Sequence, residues 1–266
     1  MDPAIKHNRA AWDERVRQRK PHTGPATDKD FENPRAVVDQ CGWLEGSLEG
    51  KRVLCLAAGG GKQSVLFAAL GAVVTVVDIS PEMLAMDKRV AAERKLKVQT
   101  VETSMEALPM LGDGTFDLII QPVSTSYVPD VLAVYREVAR VAASGALYIS
   151  QHKQPACLQA ESFPAGKGYM MAEPYQRSGP LPPVVEGSRH REAGTIEFLH
   201  RWEDLVGGMC RCGFVIEDLL EPRVGNVQAG PGTFEHRSAF LPPFVTIKAR
   251  RKEKEAKARL ALWVPA

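Results

Sequence analysis

Three consecutive glycines, Gly59, Gly60 and Gly61, followed about 20 residues later by Asp78, carry the clearest chemistry in this chain. Glycine lets backbone approach a ligand with no Cβ intervening, and an acid at the tip of the next strand can accept both hydroxyls of a ribose. A second polar set, QPVSTSY from Gln121 to Tyr127, offers an amide and four hydroxyls able to orient a polar ligand. His152 follows a predicted fifth strand and titrates near neutrality, which makes it the candidate general base, with Lys153 beside it as an anion holder. The competing reading of His152 is a buried, hydrogen-bonded structural residue.

The elements around the glycines follow from local patterning. Val53 to Leu56 is a short apolar run, Lys62 to Leu70 is rich in helix formers and stops at Gly71, and Ala72 to Val77 is a β-branched run suited to a buried parallel strand. Ser80-Pro81 is an N-cap with proline at the first helical position, so another helix starts directly under the acid. The spacing admits a nicotinamide or flavin dinucleotide, or S-adenosylmethionine (SAM). A dinucleotide fingerprint wants Gly or Ala where this chain has Ser64, which favours SAM.

In VLCLAAGGG, VVDISPEML and TSMEALPMLGDGTFDLIIQ, and on through YREVARVAASGALYIS to CRCGFVIEDL, the chain resembles the class I SAM-dependent methyltransferases over roughly residues 45 to 250. The resemblance implies that Ala57, Gly59, Gly60 and Gly61 form the cofactor loop, that Asp78 holds the ribose and that Ile79 lies on the adenine face. Ser104 and Met105 would read the adenine edge, and Gln121 would close the fourth strand near the transferable methyl. Cys55 stands in place of the first motif's acid and Ala57 in place of its first glycine, while Ser104 replaces an acid. The segment after Gln121 also departs from the pattern of nucleobase amine methylases, because Pro122 is followed by Val123 and Ser124.

The expected fold class is α/β: a doubly wound, mostly parallel seven-stranded sheet, the Rossmann-like methyltransferase fold, with an antiparallel edge strand and a lid insertion. Further strands are predicted at 96–101, 116–121, 146–150, 214–219 and 244–249, with a helix over 131–142. Residues 1–44 form an N-terminal helix and connector, which is either part of a lid or simply packed outside. Residues 45–250 form the SAM-binding domain and 251–266 a basic tail. Residues 151–200 hold six prolines yet also Phe163, Tyr169, Met170, Met171, Tyr175 and Phe198. That composition opposes disorder, and an insertion after strand five emerges over the pocket, so it reads as a substrate lid containing a hairpin from 168–175 to 194–202. The alternative is an elaboration of the sheet edge.

At 266 residues, 44% hydrophobic and 25% charged, the chain can bury a substantial core, and a net charge of +2 gives no electrostatic case for nucleic acid or an anionic membrane. No run approaches a membrane span and the start lacks the apolar core of a secretion signal, so a cytoplasmic protein is expected. Five cysteines, at 41, 55, 157, 210 and 212, suit neither a disulfide framework nor a zinc knuckle, and no metal site is expected. Arg189-His190-Arg191, His200-Arg201 and His236-Arg237 could neutralise an anion or remain solvated surface. Three functions stay open: transfer of the SAM methyl group to a small-molecule acceptor by in-line displacement, methylation of RNA or protein, and a non-catalytic SAM-fold module.

Overall fold

The computed structural model describes residues 2–184 and 190–253, so Arg189 and nearly all of the basic tail lie outside the described residues. Seven strands form one sheet: β1 (Arg52–Leu56), β2 (Val73–Asp78), β3 (Val98–Glu102), β4 (Phe116–Gln121), β5 (Ala142–Lys153), β6 (Phe214–Leu220) and β7 (Phe244–Arg251). Their order is β3-β2-β1-β4-β5-β7-β6; the first five are parallel, and β7 runs antiparallel to both β5 and β6.

Helices cover both faces, as the unbroken apolar runs of the central strands require. They are α1 (Pro3–Arg17), α2 (Asp28–Glu32), α3 (Pro34–Val38), α4 (Gln63–Ala69), α5 (Pro81–Glu93), α6 (Val131–Val141), α7 (Pro155–Gln159), α8 (Gly208–Arg211) and α9 (Phe234–Phe240). The two-residue period of β1 divides its side chains between layers. Leu54 and Leu56 join the core beneath α6 with Tyr135, Tyr148 and Phe214, while Val53 and Cys55 join Phe67 of α4 and Leu118 on the other side.

Strand order reverses between β1 and β4, which places a crevice beyond their carboxyl ends. The connector expected within residues 1–44 holds α2 and α3. The expected hairpin does not form. Among the described residues, the insertion after β5 has only isolated bridges, Ala160 with Met171, Ala165 with Gly168 and Pro180 with Phe198. Pro174, within the first expected strand, supplies no ladder N–H, and the segments instead bridge other partners, Met171 to Ala160 and Phe198 to Pro180. Among the described residues no helix is long and apolar enough to cross a membrane.

Candidate functional site

The loop after β1 is held by two buried carboxylates. Gly59 N–H donates to Asp78 Oδ2 at 2.9 Å, and Ser80 N–H donates to Oδ1 at 2.9 Å. Gly60 N–H donates to Asp87 Oδ2 at 2.9 Å, and the Ser64 hydroxyl donates to Asp87 Oδ1. Burial pushes both carboxyls up to about 6, against the pull of these donors. A Cβ on Gly59 would lie 2.7 Å from Met83 Cβ and 2.9 Å from Asp78 Oδ2, so the loop can sit this close to α5 and to the acid only as glycine. Ala57 takes a left-handed φ of 49°, which costs a side-chain-bearing residue about 1 kcal/mol.

Beyond this loop opens a cavity of about 670 Å³, well within the range of about 300–1,000 Å³ usual for small-ligand sites. One end is lined by Ala57, Gly59, Gly60, Asp78, Ile79, Ser104 and Met105, all expected from the sequence. Asp78 keeps acceptor capacity on both oxygens after its two backbone donors, as a diol requires. The buried Oε1 of Gln63, a residue of the same wall, has no partner among the described residues. This end therefore fits an adenosine-type cofactor.

Other expected site residues lie elsewhere. Gly61 does not line the cavity; its α-carbon faces α5, where a Cβ would meet Met86 O at 3.0 Å. Gln121 is buried behind the wall, donating to Ser124 Oγ at 2.9 Å, facing Met105 Sδ at 3.2 Å and accepting from the Tyr148 hydroxyl. His152, expected as a base, is fully buried and absent from the cavity wall. Its Nδ1 lies 2.9 Å from Thr125 Oγ1 and its Nε2 2.8 Å from Ser150 Oγ; burial, with His200 nearby, lowers it to about 3. Its geometry is that of the structural alternative, a neutral ring bonded on both sides. Cys55 is fully buried in β1, where burial pushes its thiol up.

Tyr127 does reach the cavity, and its hydroxyl donates to Glu192 Oε2 at 2.6 Å. Lys153 is no anion holder: its buried ammonium pairs with Glu192 and Glu197, and Glu197 also pairs with Arg191. Burial alone would lower Lys153, but the two carboxylates outweigh it and hold its pKa above the ordinary lysine range. Three more of the expected anion-site residues are also engaged. Arg201 pairs with Glu203 and Asp204, His200 Nε2 contacts the carbonyls of Thr125 and Val128, and buried Arg237 donates to those of Cys157, Ala160 and Glu161.

The N-terminal helix completes the wall. Ile5 and Trp12 line the cavity, and Trp12 meets the Tyr127 ring edge-on at 5.6 Å. Fully buried Asn8 donates to Tyr127 O and Ile196 O, each at 2.9 Å, and accepts from Ile196 N–H at 2.8 Å. Asp13 accepts from the Ser80 hydroxyl at 2.6 Å, so α1 is tied to the cap of α5. Asp87, Asn8, Asp13 and Glu192 were not expected. Only Asp87 carries a local signal, an acid in the otherwise apolar stripe Met83, Asp87, Val90 of α5.

The crevice at the strand-order reversal, with its glycine loop and acidic tip, is that of a Rossmann-like nucleotide-cofactor protein. Comparison with known proteins narrows the class. The methyltransferase domain family matches residues 54–150. The uncharacterized methyltransferase YbaJ of Bacillus subtilis is 30% identical over 241 residues, spanning 85% of this chain and 94% of its own. A SAM-dependent methyltransferase structure from Mesorhizobium loti superposes with a TM-score of 0.61 at 21% identity, over 84% of this chain and 97% of that one. Geranyl diphosphate C-methyltransferase from Streptomyces coelicolor, solved with Mg2+, geranyl diphosphate and S-adenosylhomocysteine, gives 0.63 at 17% identity, over 94% and 98%. The chain belongs to the class I SAM-dependent methyltransferases, and SAM is its cofactor.

Proposed function

We propose that the protein transfers the methyl group of SAM to a small-molecule acceptor. The observation that carries this reading is the single cavity shared by the Asp78 corner and a walled space bounded by Ile5, Trp12, Tyr127, Glu192 and Phe244. With α1 latched through Asn8 and Asp13, that space suits a small molecule better than a polymer. In this reading residues 1–44 and the insertion over 151–200 act as covers over the cavity, and both keep water from the reaction.

SAM supplies an activated methyl on a positively charged sulfur; the protein's task is to align a nucleophile with it. Asp78 would accept the ribose hydroxyls, Ile79 would lie on the adenine face, and Ser104 and Met105 would face its edge. Gly59 and Gly60 give the rest of the cofactor a wall without side chains. Gln121 supports this floor from below, through Ser124 and Met105. Tyr127 and Glu192 form the polar part of the acceptor wall, and His152 braces β5 against Thr125 rather than moving a proton.

Titration calorimetry with SAM and with S-adenosylhomocysteine, followed by an acceptor screen reading the demethylated product, tests the proposal. Micromolar binding of both cofactor forms and turnover on a small acceptor are expected. Turnover on RNA or protein but on no small molecule would overturn it.

A further inference from the structure

We infer that the methyl acceptor is an amine or other basic nitrogen compound, recognised by the cavity-facing carboxylate oxygen of Glu192. The inference rests on the small-molecule reading above and names its substrate class. Glu192 Oε2 is taken up by the Tyr127 hydroxyl at 2.6 Å and by Lys153 Nζ at 2.5 Å. Among the described residues Oε1 accepts no hydrogen bond, although the side chain is only 16% exposed and lines the cavity. Lys153, Glu192, Glu197 and Arg191 balance two cations against two carboxylates. Of the four, only Glu192 reaches the cavity, so the acceptor meets the negative member of a neutral set.

The rest of the wall agrees. Trp12, Tyr127 and Phe244 present aromatic surface, which favours a cation over an anion. Asp78 belongs to the cofactor corner, Lys62 lies 3.6 Å from Asp30, and His22 is the remaining titratable side chain on the wall. Burial alone would raise the Glu192 carboxyl, yet Lys153 and the Tyr127 hydroxyl outweigh it and hold the pKa below the ordinary range. Glu192 is therefore an ionised group and a poor proton acceptor.

That property selects among nucleophiles. An amine held by the carboxylate as an ammonium first releases its proton to solvent; the lone pair of the neutral nitrogen then forms the N–C bond as the C–S pair returns to sulfur. The positive charge moves from sulfur to nitrogen, and no proton need leave during the transfer. A fixed carboxylate beside the nitrogen stabilises that developing charge. A hydroxyl acceptor would have to lose its proton to a base, and a carboxylate or phosphate acceptor would meet like charge.

The test uses the full-length protein saturated with S-adenosylhomocysteine and three matched probes, benzylamine, benzyl alcohol and benzoate, followed by ligand-observed NMR. Benzylamine is expected to bind at least about tenfold more tightly than either of the others. Glu192→Gln is expected to reduce that preference to within about twofold while leaving S-adenosylhomocysteine affinity unchanged, and Glu192→Asp, which keeps the charge, to restore most of it. Equal binding of benzylamine and benzoate by the wild-type protein overturns the inference without recourse to any variant. So does an unchanged preference in a folded Glu192→Gln protein. Failure of the wild-type protein to bind S-adenosylhomocysteine would instead sink the cofactor assignment on which both readings stand.

Discussion

Between Leu56 and Met105 the chain turns back on itself to build the cofactor corner from neighbouring segments, whereas the opposite wall gathers Ile5 and Trp12 of α1, Tyr127, Glu192 and Phe244 from four distant ones. The first region is a backbone construction. Its glycines are pinned by Asp78 and Asp87, and what it offers a ligand is main chain plus one acid. The second is a side-chain construction, with aromatic faces around one carboxylate. Loops that hold a common cofactor can be specified by short local patterns, while a wall that selects an acceptor depends on tertiary assembly and can change without disturbing the cofactor corner.

Substitutions should separate the two halves. Asp78→Ala removes the proposed ribose acceptor and leaves Gly59 N–H and Ser80 N–H without one; calorimetry is expected to show S-adenosylhomocysteine affinity reduced about 100-fold or more. An unchanged affinity would move the ribose elsewhere. Acid is expected to act in the same place. Asp78 and Asp87 both titrate near about 6 in the folded protein, raised by burial. Ribose binding needs the ionised form, so affinity should fall about tenfold per pH unit below that point. Folding responds with the opposite sign. Because the folded-state values are raised, this pair's contribution to stability is full below the ordinary carboxylate range and is lost as pH rises through about 6. Comparing cofactor affinity with apo-protein melting from pH 5 to 8 checks both directions, and a pH-independent affinity would contradict the role given to Asp78.

Asp87→Ala reaches the loop indirectly. It strands the Gly60 amide and the Ser64 hydroxyl, with an expected cost of about 1–3 kcal/mol in denaturant unfolding and a several-fold weaker cofactor affinity. Asn8→Ala breaks three buried hydrogen bonds of the other region. It should cost about 1–3 kcal/mol and raise the acceptor KM, with S-adenosylhomocysteine affinity changing by less than about twofold. Equal effects on both ligands would show that the two halves are not separable. The smallest effect is expected from Ala57→Gly. It relieves a left-handed alanine but frees the unfolded chain, so unfolding should change by less than about 1 kcal/mol.

The difference between the regions also explains what could be read without coordinates. Val53 to Leu84 carried its strand, loop, helix and acid in order, and a seven-stranded sheet with an antiparallel strand at one edge followed from apolar runs and family resemblance. Boundaries slipped where context overrides pattern: β5 extends from Ala142 to Lys153 because β4 pairs with it at Ala142 through Phe116 and β7 pairs with it as far as Lys153 through Phe244. His152 stayed open between base and buried structural residue because strand position does not tell which face a side chain takes; one residue of register separates the cavity side from the interior. Gln151, the adjacent residue, is the one that lines the cavity. Glu192 had no signal of its own, since its meaning arises only where Tyr127 and Lys153 converge on it.

The latch of α1 onto Ser80, Tyr127 and Ile196 sets a timetable for biogenesis. On the ribosome α1 emerges before any surface it can dock on, and its last partner appears only after most of the sheet has been synthesised. Until then its Trp12 face has nowhere to go, and Phe244 arrives later still. A chain cut before Ile196 therefore lacks both Ile196, on which Asn8 docks, and Phe244, which lines the cavity, while still containing the glycine loop.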